Sequence, residues 1–194
     1  MHILLKKMAL YGLYLKAKFK YRKQIQFNGY SIFYAHHGSV INVDERGRII
    51  FNSTTTSNLV GVTQPTIISC RDGGVINIGY GVGISGSTIY ALSKISLGDN
   101  VIIGSGCKII DNDFHPLELE KRVNQKDCDI KRAPITIGAN SFVGMNSIIL
   151  KGTNIGKNCI IGAGSVVHGT FPDNVIIAGN PAKIIKQITA ESNV

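Results

Sequence analysis

The stretch ITIGANSFVGMNSIILKGTNIGKNCIIGAGSVVH, residues 135–168, decides the fold of this chain. Within it an aliphatic side chain recurs at every sixth position, and a glycine often follows that side chain. The aliphatic positions are Ile137, Val143, Ile149, Ile155, Ile161 and Val167. A short, fixed period of this kind is typical of a solenoid, in which each repeat packs only on its neighbours.

The same period occurs earlier in the chain in two runs, first at Ile78 and Ile84 and then at Leu97, Ile103 and Ile109. A second slot, four residues after each aliphatic one, holds small or β-branched residues. They are Val82, Thr88, Val101, Cys107, Ser141, Ser147, Thr153, Cys159 and Ser165. We interpret each repeat as a short strand and a tight turn, with glycine supplying torsions closed to other residues. Three repeats would close a triangular coil, and stacked coils would place parallel strands about 4.8 Å apart around an aliphatic core.

The composition fits this interpretation. The chain has 194 residues, with 22 glycines and no tryptophan, which suits one turn-rich β domain better than a helical bundle. Its formal charge of +9 favours an anionic partner such as a membrane surface or a phosphate-bearing cofactor. Its four cysteines form no Cys-x-x-Cys pair, so neither a zinc knuckle nor a disulfide scaffold is expected, and a reducing cytoplasm is the simplest compartment.

The repeat resembles the hexapeptide-repeat acyltransferases, a family that includes galactoside, maltose, serine and polysaccharide O-acetyltransferases, over roughly residues 39–186. The resemblance implies an all-β, left-handed parallel β-helix, an exception to the usual right-handed crossover. It also implies a homotrimer that uses acetyl-CoA as co-substrate. Segments 40–43 and 49–51 alternate like strands but match the period poorly, so we assign them to irregular first coils.

The predicted organisation has three parts. Residues 1–38 form a basic amphipathic cap, residues 39–176 form the β-helix with a protruding loop at 111–134, and residues 177–194 end in a helix. Residues 1–23 carry seven lysines and arginines and no acid, interleaved with leucines. Such a helix either lies on an anionic membrane or packs on the first coil and covers its open end, and capping is the favoured alternative. Neither a signal peptide nor a membrane span is predicted.

The repeat breaks between Ile109 and Ile135, where the polar sequence DNDFHP covers residues 111–116. A long interruption inside a compact repeat is uncommon unless it is functional or disordered. The segment resembles the active-site loop of the family, which implies that His115 is the general base; an imidazole suits this task because its pKa lies near neutrality. Asp111 or Asp113 would orient the imidazole, although both residue types also favour turns.

The resemblance also assigns the substrates. The pantetheine arm would lie in an outer groove, and the phosphates of coenzyme A would meet two lysines on one helical face. The predicted cofactor contacts are Gly144, Met145, Ala163, Gly164, Lys183 and Lys186. An ordinary solvated basic helix is the alternative for the two lysines. Ser85, Ser87 and Asn112 are the candidate acceptor contacts, with simple turn chemistry as their alternative. Galactoside-type enzymes present Asn and Asp where Ser85 and Ser93 stand here, so the acceptor is left open.

The resemblance therefore favours acetyl transfer to a sugar hydroxyl, in capsule, exopolysaccharide or lipopolysaccharide synthesis. The acceptor is a carbohydrate or sugar-lipid, and no nucleic acid is expected. N-acetylation of an amino sugar and a noncatalytic binding solenoid are the alternatives. A zinc hydratase on the same fold needs three converging imidazoles. His36, His37 and His168 have no metal spacing with His115, so no metal is predicted.

Overall fold

The computed structural model describes residues 2–56, 61–124 and 129–189, and the side chains from residue 7 onward. Cys128, which the sequence left unassigned, lies outside the described residues. The chain begins with helix α1 (His2–Lys20) and then winds into a prism of short strands. Each turn of the prism is a coil of three strands, and the described residues contain six such coils.

The first three coils have the longer strands. Coil 1 is β1 (Ile25–Asn28), β2 (Ile32–Ala35) and β3 (Val40–Val43); coil 2 is β4 (Ile49–Asn52), β5 (Ile67–Cys70) and β6 (Val75–Ile78). Coil 3 is β7 (Gly83–Ser85), β8 (Thr88–Ala91) and β9 (Lys94–Leu97).

The later coils have strands of two or three residues. Coil 4 is β10 (Ile102–Ile103), β11 (Lys108–Ile110) and β12 (Ile135–Ile137), with helix α2 (Leu119–Val123) between the last two. Coil 5 is β13 (Phe142–Val143), β14 (Ile148–Ile149) and β15 (Asn154–Ile155). Coil 6 is β16 (Ile160–Ile161), β17 (Val166–Val167) and β18 (Thr170–Phe171), followed by β19 (Val175–Gly179) and β20 (Ala182–Gln187).

Three sheets form the walls of the prism. Sheet A has the order β1-β4-β7-β10-β13-β16-β19-β20, sheet B has β17-β14-β11-β8-β5-β2, and sheet C has β18-β15-β12-β9-β6-β3. Apart from the last pair, every strand pairs in parallel with the strands one coil before and after it. This confirms the predicted left-handed parallel β-helix. The pairing register stacks the aliphatic residue of each repeat on that of the next, as with Ile103 on Val143.

The interior is the predicted aliphatic column. Its members in sheet A are at most 1 % exposed: Ile84, Ile103, Val143, Ile161 and Ile177. The second slot holds small residues because it lies at the tight corners, where polar side chains bond to the backbone. Ser141 Oγ donates to the Gly156 carbonyl at 3.0 Å and accepts from the Cys159 N–H at 3.0 Å. The slot thus ties successive coils together.

Both ends differ from the prediction. The first coil begins at Ile25, inside the segment 1–38 that the sequence assigned to the cap, because its strands lack the six-residue period. The predicted C-terminal helix is wrong, since residues 182–187 form β20, antiparallel to β19. Two consecutive β-branched residues, Ile184 and Ile185, favour a strand, and the open edge of β19 offers unpaired backbone groups to it.

Helix α1 packs on the first coil. Tyr14 and Ala17 are buried, and the Tyr14 ring lies 5.9 Å from the Phe27 ring and 5.3 Å from the Tyr30 ring, centroid to centroid. The helix therefore covers apolar surface that the first coil would otherwise expose. Among the described residues, no helix combines the length and the apolar character that crossing a membrane requires.

Candidate active site

The interrupting loop leaves the prism between β11 and β12, at the corner between sheets B and C. Its base is closed by an antiparallel bridge between Asn112 and Arg132. The Arg132 guanidinium also donates to the Leu92 carbonyl at 2.9 Å, and Ala133 N–H donates to the Asp111 carbonyl at 2.9 Å. These bonds fix the start and the end of the loop to coils 3 and 4.

Asp111 is fully buried, and its carboxylate holds the turn between β8 and β9. Its Oδ1 accepts from the Leu92 N–H and its Oδ2 from the Ser93 N–H, both at 2.8 Å. The Asn112 side-chain amide donates to Oδ1 as well, at 3.2 Å. Because both oxygens are engaged inside the prism, Asp111 has a structural position, and Asp113 is the better candidate to orient His115.

Asn112 shapes the turn that presents the histidine. It is 5 % exposed, and its Oδ1 accepts from the Phe114 N–H at 3.0 Å. Phe114 has a φ of +61°, a left-handed conformation that is strained for a bulky residue and concentrates at functional sites. His115 follows with its side chain exposed, and its N–H donates to the Asp113 carbonyl at 2.7 Å. The structure thus gives Asn112 a role in shaping the loop and does not place it at an acceptor-facing surface.

Asp113 pairs with a residue that the sequence did not single out. Its Oδ1 lies 2.5 Å from Lys151 Nζ, and the side chains are 20 % and 28 % exposed. Its Oδ2 is buried and has no hydrogen-bond partner among the described residues. The repeat contained the signal: Ile109 pairs with Ile149, so Lys151 lies one coil above the first residues of the loop.

An aromatic pair, also missed from the sequence, stands beside His115. The rings of Tyr90 and Phe114 lie 5.0 Å apart at an interplanar angle of 51°, and Phe114 is 42 % exposed. Tyr90 is on β8, one coil below the loop, next to Ile110 of β11. The loop therefore presents an apolar ring and an imidazole at adjacent positions.

A groove of about 410 Å³ runs along the outer face of sheet A. Its floor includes Ile102, Phe142 and Ile160, which face away from the core and are partly exposed. The structure brings three predicted cofactor contacts, Gly144, Met145 and Ala163, together with Ser85 in this groove. Gly164 follows Ala163 and donates its N–H to the Met145 carbonyl at 2.8 Å.

Gly144 shows why this wall needs glycine. A Cβ atom at this position would lie 2.5 Å from the Ala163 amide nitrogen and 2.7 Å from the Ile161 carbonyl oxygen. The backbone of coil 6 therefore passes too close to coil 5 for any side chain. The glycines of the repeat allow adjacent coils to meet along the groove.

Lys183 and Lys186 share a face, although not through a helix. A bulge between Ile176 and Ile177 leaves one extra residue on β20, so Lys183 pairs with Ala178 and Lys186 pairs with Ile176. Cross-strand partners lie on the same face of a sheet. Ile176 pairs in turn with Ile160, a groove residue, so both exposed lysines lie on the groove face of sheet A.

Ser85 and Ser87, the remaining acceptor candidates, have different surroundings. Ser85 is half-buried and lines the groove. Ser87 is fully buried, with its Oγ 2.7 Å from the Gly104 carbonyl oxygen and accepting from the Cys107 N–H at 2.9 Å. The Ser87 hydroxyl is therefore a corner tie of the kind seen at Ser141 and does not face an acceptor.

The other reactive side chains lie elsewhere. Burial raises the pKa of the thiols of Cys70, Cys107 and Cys159, so these cysteines pack as small apolar residues. His36, His37 and His168 are exposed. Among the side chains of residues 7–56, 61–124 and 129–189, no three His, Cys, Asp or Glu are placed to share a metal ion.

The base and the groove occupy different corners of one chain. The loop that carries His115 leaves after sheet B, whereas the groove lies on sheet A and on the corner that leads from sheet A to sheet B. No groove-lining residue comes from the described part of the loop. A second prism must therefore face the groove if this loop is to contribute to it.

The prism carries a histidine loop at one corner and a glycine-walled groove at the next. This combination is typical of β-helix proteins that transfer acyl groups, and comparison with known proteins agrees. Residues 134–168 match the family model for the hexapeptide repeat of succinyl-transferase. A putative acetyltransferase of Saccharomyces cerevisiae is 36 % identical over 145 residues, which cover 68 % of this chain and 72 % of that protein. The chain belongs to the hexapeptide-repeat acetyltransferase family.

Other relatives point the same way. The galactoside O-acetyltransferase of Escherichia coli is 38 % identical over 101 residues, which cover 52 % of this chain and 48 % of that protein, so the chain spans about half of its length. The solved structure of a maltose O-acetyltransferase from Clostridium difficile has a TM-score of 0.53 at 33 % identity and covers 59 % of each chain. A galactoside acetyltransferase in complex with coenzyme A has a TM-score of 0.58 and covers 96 % of this chain and 80 % of its own, which shows the shared fold.

Proposed function

We propose that this acetyltransferase moves the acetyl group of acetyl-CoA to a hydroxyl group of a sugar, in an active site formed between two copies of the chain. The observation that carries the proposal is the pair of surfaces described above. An exposed imidazole projects from one corner of the prism, and a groove of about 410 Å³ with an apolar floor runs along the adjacent wall.

His115 acts as the general base. Its imidazole accepts the proton of the acceptor hydroxyl while the oxygen attacks the thioester carbonyl carbon, and it returns that proton to the sulfur of coenzyme A as the carbon–sulfur bond breaks. Asp113 stabilises the imidazolium that forms in between, as carboxylates do in catalytic triads. Lys151 holds Oδ1 of that carboxylate, and Oδ2 has no hydrogen-bond partner within the described residues, so a small movement of the loop would let it meet the imidazole.

The groove holds the pantetheine arm. Its floor of Ile102, Phe142 and Ile160 gives the arm an apolar surface, while the close approach of coils at Gly144 keeps the groove free of obstructing side chains. Lys183 and Lys186, on the same face, supply ammonium groups for the diphosphate and the 3′-phosphate.

Assembly as a homotrimer completes the site. The family resemblance implies three copies, and three identical prisms related by a closed rotation would present the loop of each copy to the groove of the next. The geometry that supports this proposal is the separation of His115 from the groove on each chain.

The acceptor is a sugar or sugar-lipid of capsule, exopolysaccharide or lipopolysaccharide synthesis. The relatives support a sugar through their names, which include galactoside and maltose O-acetyltransferases and a putative lipopolysaccharide biosynthesis O-acetyl transferase of Escherichia coli. We place the enzyme in the cytoplasm, with a peripheral contact at the inner face of the membrane. N-acetylation of an amino sugar would use the same base and groove.

Mass spectrometry of glycans from cells with and without the protein tests the proposal. We expect one glycan species to lose the mass of an acetyl group when the protein is absent. Purified protein given matched hydroxyl and amino sugars then separates O- from N-acetylation. Unchanged glycans, together with no heat of acetyl-CoA binding in calorimetry, would favour a noncatalytic solenoid instead.

A further inference from the structure

Helix α1 has an apolar stripe that stays largely exposed in the described part of the chain. Its residues are spaced by three or four positions, as expected for one side of a helix, and each is between 48 % and 72 % exposed. They are Met8, Tyr11, Leu15 and Phe19. With 3.6 residues per turn, the centre of the stripe faces away from Ala17, which packs on the first coil, while Tyr11 at the edge of the stripe stacks on Tyr30. The helix therefore presents apolar side chains on two opposite sides.

Lysines flank the stripe on both sides. By helical position, Lys7 and Lys18 lie along one edge and Lys16 and Lys20 along the other, and all four are exposed. The sequence contains no acidic residue before Asp44. The whole outer side of the helix is thus a single-signed surface of cations around an apolar centre.

An apolar groove adjoins the stripe. It has a volume of about 750 Å³ and lies between α1 and the first coil. Its lining consists of Lys7, Met8, Leu10, Tyr11, Gly12, Leu15, Tyr30 and Ile32, so Lys7 supplies the one charge among these residues. The stacked rings of Tyr11 and Tyr30, 6.2 Å apart, form part of its wall. The groove can take a hydrocarbon chain with an ammonium group at its rim.

We propose that the outer side of α1 docks on an anionic phospholipid bilayer. The helix lies in the plane of the interface, with Met8, Tyr11, Leu15 and Phe19 in the outer acyl region and the lysines on phosphate groups. The groove next to Tyr30 receives part of one lipid chain. Docking is peripheral, because α1 itself is one of the described helices that cannot cross a membrane.

Charge decides between a membrane and a second copy of the chain as the occupant. Two copies that met through this stripe would bring two sets of flanking lysines together, with no acid before Asp44 in either chain to compensate them. An anionic headgroup layer complements both the cations and the apolar centre. The surface therefore fits a membrane better than it fits itself.

Vesicle co-sedimentation tests the docking, without acetyl-CoA or acceptor, so that its outcome is independent of the proposed enzymatic function. The full chain is mixed with vesicles of phosphatidylcholine alone or of phosphatidylcholine with phosphatidylglycerol. We expect binding to the anionic vesicles that weakens as salt rises. Leu15→Ser combined with Phe19→Ser should reduce the vesicle affinity by about tenfold or more, because both side chains leave the interface.

Matched controls separate the stripe from general effects. Ile185→Ser removes an exposed apolar residue elsewhere and is the control for Leu15→Ser/Phe19→Ser. Lys157→Glu reverses an exposed charge elsewhere and is the control for Lys16→Glu/Lys20→Glu, which reverses two charges beside the stripe. Neither control should alter vesicle binding by as much as the stripe variant that it matches. Equal affinity for both kinds of vesicle, or full binding by the stripe variants, would overturn the proposal. The proposal would also be overturned if the wild type did not bind vesicles and the stripe variants formed smaller oligomers. That result would assign the stripe to contact with a second copy of the chain.

Discussion

Lys151 Nζ lies 2.5 Å from Asp113 Oδ1, and this contact joins the corner of coil 5 to the loop that carries His115. The other carboxylate oxygen of Asp113, Oδ2, is buried and has no hydrogen-bond partner within the described residues. A buried carboxylate oxygen without a partner is costly, and such cost is tolerated where function requires it. We therefore propose Asp113, rather than Asp111, as the carboxylate that orients His115.

Lys151→Met should weaken this arrangement. Without the ammonium, the Asp113 side chain is no longer held and its carboxylate charge is less well stabilised, so we expect turnover to fall about tenfold. The acetyl-CoA Michaelis constant should change little, because Lys151 does not line the groove. Steady-state kinetics measures both, and Lys151→Arg, which keeps a charge, should retain more activity. Wild-type turnover in Lys151→Met would contradict the positioning role.

The two aspartates of the loop should behave differently on substitution. Asp111→Ala leaves the N–H groups of Leu92 and Ser93 without their carboxylate acceptor, so the free energy of unfolding should fall by about 2 to 5 kcal/mol. Asp113→Ala should lower turnover and leave most of the stability intact. Urea denaturation and kinetics on the same two variants make the comparison. Equal loss of stability in both would remove the distinction between them.

His115→Ala should lower turnover by roughly 10²- to 10⁴-fold, the usual contribution of a general base. The fold should persist, since the side chain is exposed at the surface of the loop. Turnover is measured with saturating acceptor, and thermal unfolding serves as the control for folding. Near-normal turnover of a folded His115→Ala protein would rule the assignment out.

Lys183→Ala and Lys186→Ala should each raise the acetyl-CoA Michaelis constant by about tenfold, because each removes one charge-assisted bond in a solvent-exposed place where salt screens it. Turnover should be nearly unchanged, since the phosphates are remote from the thioester. Acetyl-dephospho-CoA is the control: the lysine that meets the 3′-phosphate should matter less with it. Identical losses with both cofactors for both lysines would exclude that pairing.

The repeat was sufficient to predict the prism because its period is geometric. One aliphatic residue every sixth position, as from Ile137 to Val167, leaves little choice of coil, and the core forms as expected. The first coil was predicted only in part: segment 40–43 was assigned to it, but its start at Ile25 lies outside the period. The C-terminal strand was missed because Lys183 and Lys186, three residues apart, also fit one face of a helix. The strand forms because its backbone pairs with the edge of β19 across a bulge.

The site was predictable in part, for similar reasons. The break in the period located the loop, and the resemblance to the family named His115, Gly144, Met145 and Ala163, of which the last three line the groove. Some roles depend on the direction in which a polar side chain points at a corner, as for Asp111, Asn112 and Ser87. That direction is set by backbone hydrogen-bond partners up to one coil away, which the sequence does not reveal. Lys151 and the Tyr90–Phe114 pair are contacts between coils, visible only once the register is known.

Mixing two inactive variants tests the central claim, that one copy supplies His115 and its neighbour supplies the groove. His115→Ala lacks the base and keeps the groove; Ala163→Trp keeps the base and fills the groove, at an exposed position that tolerates a larger side chain. In a closed ring of three, every mixed trimer contains one site with both parts intact, so an equal mixture should regain about a quarter of the wild-type turnover.

The measurement is acetyl transfer by each variant alone and by the two refolded together, with wild type refolded in the same way as the control. If the site is shared between copies, each variant alone should show negligible turnover and the mixture should recover to about a quarter of the control. A co-refolded mixture no more active than its two components, with light scattering showing that mixed oligomers have formed, would contradict a site shared between copies.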